Sequence, residues 1–434
     1  MKKVILLLIA LSLLNTIYAQ NLVLNNNKPK RTEWFRDLGL GMFIHWSFDV
    51  QLGTVISHSL VGASEEYRNE YFELQKTFDP QKFNPDQWAK LAKLAGFKYV
   101  VFTTKHHNGF CMFATKTTDF NIMNTPFGRD VTKEVIEAFR KQDIAIGLYY
   151  GPEDWHFLHK QGTQISRNSA SKANPEHNPE LNTFLKKQMK ELLTNYGKID
   201  IIFLDGLMMT PFLNTEFAAY CWELQPDIVV TRGAMETPEQ HMPTAPIPGA
   251  WEACFTLGTQ WQYKPTNETY KSGTTVINML LETRAKGGNL LLNVGPMADG
   301  SFPVEQENIL RELALWMLVN KQSVIETRPN NPINQDNIYF TRSKDGKTLY
   351  AAITDMQWRY GERKVFLLNG ISTGENTKVT ILGHNGKVVE YKPEADAKVY
   401  WSNTPNGLLV SAVRGQRLYN NVQWPNPVVI KIKN

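Results

Sequence analysis

The sequence predicts an α/β protein: a (β/α)8-like barrel of the TIM type, regular or irregular, followed by a C-terminal antiparallel β-sandwich. Two observations support this fold class. Between about residues 35 and 325, short apolar runs alternate with amphipathic helices, which is the pattern of parallel strands joined by helical crossovers. From residue 330 the helical periodicity ends, and short alternating stretches separated by turns follow. We therefore expect a barrel domain over residues 20–329 and a sandwich over residues 330–434.

The clearest helix–strand unit begins at Asn84. Asn84 is the expected N-cap, Pro85 the first helical residue and Gly96 the end of the helix, and the apolar run "YVVFTT" follows as a strand. The same order recurs where "VTKEVIEAFRKQ" precedes "IAIGLYYG" and where "LNTFLKKQMKELLTNYG" precedes "IDIIFLDG". Further strands are predicted for "GMFIHW", "DIVVTRG", "AWEACFT" and "GNLLLNVGP". Seven or eight such units are expected.

The C-terminal region has the sequence pattern of antiparallel strands. "KDGK" and "HNGK" are predicted to be hairpin turns. Their expected flanking strands are "NIYFTRS", "TLYAAIT", "KVTILG" and "VVEYK", and the chain ends in a further strand, "VVIKIK".

Residues 1–19 have the composition of a secretory signal peptide. Two lysines precede an apolar run, and "IYA" stands before Gln20, so cleavage is expected after Ala19 and the protein is expected to be periplasmic or secreted in a bacterium. The apolar run is too short to span a bilayer. No cysteine stands at the cleavage point, so no membrane anchor is expected.

Composition excludes several classes of function. The 434 residues are 42% hydrophobic and 21% charged, which is typical of a folded globular protein. Loss of Lys2 and Lys3 would lower the net charge from +5 to +3, which is near neutral and implies no nucleic-acid partner. The three cysteines have neither the number nor the spacing of a zinc site or a disulfide framework. No glycine-rich phosphate loop follows a strand.

Polar and aromatic residues recur at the predicted strand ends. In a parallel barrel the functional residues lie at the C-terminal ends of the strands. Reading those ends gives His45, Trp46, Lys105, His106, His107, Tyr149, Tyr150, Asp205, Arg232, Trp251 and Glu252. Aromatic faces pack against the C–H face of a sugar ring, imidazoles and guanidinium groups bind its hydroxyls, and two carboxylates suit glycoside hydrolysis. The predicted rim therefore indicates a sugar site.

Four motifs carry a resemblance to a known family. "GMFIHW", "TTKHHNGFCMF", "IDIIFLDG" and "WEACFTLGTQWQY" resemble, in this order, the α-L-fucosidases of glycoside hydrolase family 29, and the resemblance covers about residues 33–325. It implies an exo-acting retaining enzyme that forms a covalent glycosyl-aspartate, with no metal and no cofactor. The implied substrate is a fucosylated oligosaccharide or glycan.

The resemblance also implies roles for individual residues. Asp205 is the implied nucleophile, although an Asp–Gly after an apolar run is also an ordinary helix N-cap. Glu252 is the first choice for the acid/base and Glu239 is its rival. The implied sugar contacts are His45, Trp46, Glu65, Glu66, His106, His107, Tyr149, Arg232, Trp251 and Trp261. One of the two adjacent histidines could instead be structural, because neighbouring strand residues face opposite sides.

This chain departs from the family pattern at three points. Ser47 stands where the family usually has Gly, and Asn108 stands where it usually has Asp. The family's Glu–Trp–Tyr is here Glu65–Glu66–Tyr67, so a carboxylate replaces an aromatic residue that could select the sugar. Three other functions remain open at this point: a relaxed glycosidase that also accepts galactosides, a non-catalytic sugar-binding protein, and a metal-dependent hydrolase using His45, His106, His107 and Asp205.

Overall fold

The computed structural model describes most of the chain outside its N-terminal region. The described residues are 25–168, 170–206, 211–354, 357–415 and 426–434. The predicted signal peptide, residues 1–19, lies outside them. Within these residues no helix is long and apolar enough to cross a membrane. Cys111, Cys221 and Cys254 are all buried and free.

The N-terminal part of the described chain is a parallel sheet surrounded by helices. Its strands are β1 (Leu40–Ile44), β2 (Tyr99–Lys105), β3 (Ala145–Tyr150), β4 (Ile201–Leu204), β5 (Val229–Val230), β6 (Glu252–Thr256) and β7 (Asn289–Val294). The described helices are α1 (Pro29–Leu38), α2 (Glu65–Glu73), α3 (Pro85–Leu94), α4 (Val131–Lys141), α5 (Trp155–Lys160), α6 (Pro179–Asn195), α7 (Pro211–Leu224), α8 (Gly273–Ala285) and α9 (Val304–Asn320). As the sequence predicts, the Asn84 side chain caps α3 by accepting from the backbone N–H of Gln87, and Pro85 is its first residue.

The sheet curls into an irregular barrel. The strand order is β5-β4-β3-β2-β1-β7-β6, so β5 and β6 are its two edges. Residues 236–240 run beside β6 in the gap: the N–H of Cys254 donates to the carbonyl of Pro238, and the N–H of Gln240 donates to the carbonyl of Cys254 (both 2.9 Å). The predicted TIM-type fold is confirmed, with seven strands in the described residues and a loop segment against the open edge.

Apolar side chains fill the barrel interior. Parallel strands present alternate residues inward, and these pack in layers across the barrel. The buried interior cluster contains Phe43, Tyr99, Val101, Tyr149, Ile201, Phe203, Val229, Cys254 and Leu291. Because all seven strands run in one direction, their C-terminal ends meet at one rim of the barrel.

The C-terminal part consists of two antiparallel sheets. Its strands are β8 (Thr327–Gln335), β9 (Ile338–Ser343), β10 (Thr348–Ile353), β11 (Arg363–Asn369), β12 (Lys378–Ile381), β13 (Tyr400–Thr404), β14 (Gly407–Val413) and β15 (Val428–Lys433). Five form one sheet, in the order β12-β15-β10-β9-β8, and three form the other, β11-β14-β13. The "KDGK" hairpin joins β9 to β10 as predicted. The strand predicted for "VVEYK" is wrong, since 388–392 is irregular and Tyr391 has a φ of 56°.

Candidate active site

Asp205 lies at the centre of the rim, directly after β4. The hydroxyl of Tyr149, from β3, donates to its Oδ2 at 2.7 Å. Arg232, which follows β5, donates from Nη1 to its Oδ1 at 2.8 Å. Both carboxylate oxygens are therefore held by donors from the two neighbouring strands. The side chain is 16% exposed, so it remains open to a ligand from the rim side.

The charges around Asp205 keep it ionised. Burial alone would raise its pKa, but the Arg232 guanidinium, His107 and the hydrogen bonds from Tyr149 and Arg232 outweigh burial and lower the pKa to about 2. The pKa of Arg232 is raised. Burial alone would lower this pKa, but the negative charge of Asp205 outweighs burial. With a pKa of about 2, Asp205 is a carboxylate at neutral pH.

Arg232 joins Asp205 to a second carboxylate. Its Nη2 donates to Oε2 of Glu239 at 2.7 Å while its Nη1 holds Asp205. The Glu239 side chain is 40% exposed. Two carboxylates that bind the two terminal nitrogens of one guanidinium are neighbours, as the two carboxyl groups of a retaining glycosidase must be. Glu239 is thus the glutamate that the structure places next to Asp205.

Glu252, the first choice from the sequence, lies at the opposite end of the barrel. It is the first residue of β6, is paired with Asn289 at the start of β7, and accepts from the hydroxyl of Tyr99 at the start of β2 (2.7 Å). It is fully buried, and burial raises its pKa to about 7. The prediction that Glu252 is the acid/base is wrong, because Glu252 lies at the start of β6 and the rim is formed by the C-terminal ends of the strands.

Trp251 lies at the same end as Glu252. It precedes β6 and is 1% exposed, against the backbone of Gly288. Trp46 follows His45 but points outward into the packing between barrel and helices. It is fully buried against Phe83 and donates its indole N–H to the carbonyl of Met297. Neither tryptophan can reach a sugar at the rim, so both predicted contacts are wrong.

Three predicted histidines do meet at the rim. One ring nitrogen of His106, one of His107 and a carboxylate oxygen of Asp205 lie within 4.8 Å of one another. The ring of His106 stacks on that of Tyr149, with centroids 5.4 Å apart and an interplanar angle of 3°. His45 lies 6.0 Å from His106 between ring centroids. Both adjacent histidines converge because His106 and His107 follow the last residue of β2, beyond the strict alternation of the strand.

The remaining predicted contacts are one residue beside His45 and two exposed glutamates. Trp261 lies beside His45, with ring centroids 4.9 Å apart. Glu65 and Glu66 are exposed in the first turn of α2, whose N-cap is Ser64. In the described part of the chain no hydrogen bond or ion pair joins either glutamate to the histidines or to Asp205. Their predicted place in the sugar pocket therefore has no support from the geometry.

The structure adds site residues that the sequence reading missed. His58, on a short 3-10 helix (His58–Leu60), lies 6.0 Å from both His106 and His107 between ring centroids. Ser57 bonds His106 at 2.7 Å, and Glu153 faces Nδ1 of His107 at 3.5 Å. Asn293 bonds His45 at 2.6 Å. Asn293 follows the three leucines of β7, and this position near the C-terminal end of the strand predicts a rim residue. The others lie on loops and a short 3-10 helix whose course no local pattern reveals.

A metal ion fits this cluster poorly. His106, His107 and Asp205 offer a possible set of ligand atoms. However, the Arg232 guanidinium already occupies Asp205 at 2.8 Å, and the hydroxyl of Tyr149 occupies the other oxygen. A divalent cation there would face a fixed positive charge and would have to displace both donors. The donor set suits hydroxyl recognition better than metal binding.

The rim of this TIM-type barrel carries two carboxylates that are joined through one arginine, with histidines and aromatic rings beside them. This is the composition of a glycoside hydrolase site. The family model described as "Alpha-L-fucosidase" matches residues 14–322. The chain therefore belongs to the α-L-fucosidase family and is a glycoside hydrolase.

Known relatives agree with this assignment over most of the chain. The chain is 28% identical to the plasma α-L-fucosidase of Rattus norvegicus, covering 88% of this chain and 87% of the relative. It is 29% identical to the tissue α-L-fucosidase of Bos taurus, covering 86% and 82%. Among solved structures, α-L-fucosidase isoenzyme 1 from Paenibacillus thiaminolyticus matches with a TM-score of 0.74 and 28% identity, covering 93% of this chain and 98% of that one. The Thermotoga maritima α-fucosidase solved with fucose shares the fold (TM-score 0.71, 24% identity, 92% and 96% covered).

Proposed function

We propose that the protein is an exo-acting retaining α-L-fucosidase that releases terminal α-L-fucose from fucosylated glycans through a covalent intermediate on Asp205. One observation carries the proposal: Arg232 holds Asp205 and Glu239 side by side at the rim of the barrel. Family membership supports the substrate class. We also propose that the protein is exported, on the composition of residues 1–19 alone.

The first half of the reaction breaks the glycosidic bond. An Asp205 oxygen attacks the anomeric carbon, and Glu239, which must carry a proton when the substrate is bound, gives that proton to the departing glycosidic oxygen. The bond electrons leave with that oxygen, and a glycosyl–Asp205 ester forms. The low pKa of Asp205 keeps the nucleophile free of a proton. As negative charge leaves Asp205, its hydrogen bonds to Arg232 and Tyr149 continue to hold the carboxyl group in place.

The second half regenerates the enzyme. Glu239, now a carboxylate, takes a proton from water, and the resulting oxygen attacks the anomeric carbon from the side the leaving group occupied. The ester bond to Asp205 breaks and fucose leaves with the anomeric configuration it had in the glycoside. Because Glu239 is 40% exposed, both an incoming water and a bulky aglycone can approach it.

The test is the fate of Asp205→Gly. We expect turnover of 4-nitrophenyl α-L-fucoside to fall by about 10³-fold or more, with an unchanged unfolding midpoint, and added azide to restore turnover and yield a fucosyl azide. Near-wild-type turnover in Asp205→Gly would remove the nucleophile assignment. A parallel assay of the wild-type protein with a chelator checks the metal alternative, and inactivation reversed by zinc would support that alternative instead.

A further inference from the structure

Ser57 occupies an unusual position beneath the histidines of the rim. It is fully buried, and its backbone has a φ of 63° and a ψ of −33°, a region that residues other than glycine rarely adopt. Its N–H donates to Oδ2 of the buried Asp49 at 2.7 Å. Such a conformation persists only when its surroundings fix it. The contacts of its hydroxyl indicate what the conformation achieves.

The hydrogen bonds of the Ser57 hydroxyl determine which nitrogen of His106 carries a proton. Among the described residues, Ser57 Oγ bonds two atoms: it accepts from the backbone N–H of Asn108 (3.0 Å), and it lies 2.7 Å from Nδ1 of His106. Its own proton then has one acceptor, the lone pair of Nδ1. The opposite arrangement, in which Nδ1–H donates to Ser57, would leave a buried O–H without an acceptor, which costs about 1–3 kcal/mol.

His106 therefore carries its ring proton on Nε2. Burial and the neighbouring histidines lower its pKa well below the ordinary value, so the ring is neutral and holds a single ring proton. With Nδ1 engaged by Ser57, Nε2 is the nitrogen left for a ligand, and it is a hydrogen-bond donor.

His45 has the opposite polarity. Asn293 donates from its side-chain amide to the carbonyl of Trp261 at 2.6 Å, which orients its Oδ1 as the acceptor that faces Nδ1 of His45 at 2.6 Å. Nδ1 of His45 must then carry the proton. Burial lowers the pKa of His45 to about 4, so this ring is also neutral and its Nε2 is an acceptor.

We propose that Ser57 is a positioning residue that fixes Nε2 of His106 as a hydrogen-bond donor, while Asn293 fixes Nε2 of His45 as an acceptor. The pocket then offers one donor nitrogen and one acceptor nitrogen to the hydroxyls of the bound sugar. The two rings lie 6.0 Å apart, close enough to contact neighbouring hydroxyls of one ring. A hydroxyl can satisfy both, by accepting from His106 and donating to His45. The part of the proposal that concerns the sugar rests on the proposed function; the tautomers do not.

The tautomers are tested first by NMR of the full-length protein labelled with ¹⁵N-histidine. The ¹⁵N shift separates a protonated ring nitrogen from an unprotonated one, and the signals of His106 are assigned by their absence in His106→Asn. We expect protonated Nε2 in His106 and protonated Nδ1 in His45. We also expect Ser57→Ala to bring His106 into a mixture of tautomers. Protonated Nδ1 in wild-type His106, or an unchanged spectrum in Ser57→Ala, would overturn the proposal.

The second test uses activity on aryl α-L-fucosides. We expect Ser57→Ala and Ser57→Gly each to lower kcat/KM by about 10- to 100-fold, the effect of one lost buried hydrogen bond. Glycine adopts a positive φ without strain, so a loss of kcat/KM in both variants is caused by removal of the hydroxyl and not by the backbone. Across a set of monodeoxy fucosides, the loss should shrink below about threefold for the analogue that lacks the oxygen bound by His106. An equal loss on every analogue would contradict donation to the sugar.

Thr103→Val is the matched control. Thr103 also has a buried hydroxyl near the rim, but it donates to the carbonyl of Ile44 at 2.8 Å rather than to a histidine. We expect this variant to lose stability while the histidine spectrum and kcat/KM stay near wild type. If no fucoside is hydrolysed by the wild-type protein, the proposed function fails while the NMR result still decides the tautomers.

Discussion

Asn108 donates a hydrogen bond from its side-chain amide to the hydroxyl oxygen of Ser47, at 3.3 Å. These are the two positions at which the sequence departs from the family's usual Gly and Asp, so the two departures contact each other. The same amide nitrogen donates to the hydroxyl of Tyr71 at 3.2 Å, and Tyr71 donates its proton to Asp49 at 2.7 Å. The pair therefore belongs to the buried network that also holds Ser57 beneath His106.

Asn108→Asp should destabilise the protein. The carboxylate keeps the bond that Oδ1 accepts from the N–H of Phe110, but it has no proton for Ser47 or Tyr71 and buries a charge. We expect the free energy of unfolding to fall by about 1–3 kcal/mol. In a double-mutant cycle with Ser47→Gly, which removes one of the two hydroxyls that accept from the Asn108 amide, we expect a coupling energy above about 0.5 kcal/mol. Strictly additive losses would show that the two departures are independent.

Arg232→Gln should move the acid limb of the pH profile. Without the guanidinium, burial dominates and the pKa of Asp205 rises from about 2 toward or above its ordinary value of 3.8. Since the proposed nucleophile must be ionised, we expect kcat/KM of the variant to fall on acidification at a higher pH than in wild type. Tyr149→Phe, which removes a hydrogen bond but no charge, is the control and should shift the limb less. Profiles of kcat/KM against pH on one aryl fucoside measure both, and coincident acid limbs would be the contrary result.

The two candidate glutamates should respond differently to the leaving group. Loss of the true acid hurts poor leaving groups far more than activated aryl ones, which need little protonation. We expect this pattern for Glu239→Ala, and for Glu252→Ala a loss that is uniform across leaving groups. A set of aryl fucosides with leaving groups of graded pKa gives the two slopes. A steep slope for Glu252→Ala with a flat one for Glu239→Ala would reverse the assignment.

Glu252 should instead affect stability as a function of pH. Burial raises its pKa from 4.5 to about 7, so the folded state binds the proton more tightly than the unfolded state. Its contribution is therefore most favourable below about pH 4.5 and is lost as the pH rises to about 7, a change of roughly 3 kcal/mol. Glu252→Gln keeps an acceptor for Tyr99 and cannot ionise. Denaturant unfolding between pH 4.5 and 8 should show this decline in wild type and not in Glu252→Gln, and parallel curves would contradict it.

Much of the site was readable from the sequence because chain direction matters in a parallel barrel. His45, His106, Asp205 and Arg232 all follow the apolar run of their strand, and all lie at the rim. Glu252 precedes its run, "ACF", and lies at the other end. The position of Glu252 before its apolar run, and not after it, is the sequence feature that indicates this other end. Strand direction does not separate Trp46 from His45, because both follow the last residue of β1, just as His106 and His107 both follow β2.

The parts that the sequence could not reveal depend on loop paths. Glu239 comes beside Asp205 because residues 236–240 run along β6, and no periodicity distinguishes those residues from other loop residues. Ser57 is brought beneath His106 by a stretch of short 3-10 turns held at Asp49. Both placements result from hydrogen bonds between distant residues, whereas the strands and helices follow from local apolar patterns.

Glu66→Trp tests whether the third departure affects sugar choice. Fucose has a methyl group where galactose has a hydroxymethyl group, and an aromatic wall would exclude the latter, since burying an unpaired hydroxyl costs roughly 1–3 kcal/mol. Glu66 is exposed, however, in the first turn of α2, where a carboxylate favours the positive end of the helix dipole. We therefore expect the ratio of kcat/KM for aryl fucoside and galactoside to change by less than about threefold in Glu66→Trp. Trp261→Ala, beside His45, is the matched change within the site and should lower kcat/KM for the fucoside by about 10-fold or more. A shift of the ratio by about 10-fold in Glu66→Trp would instead place that position at the wall of the pocket.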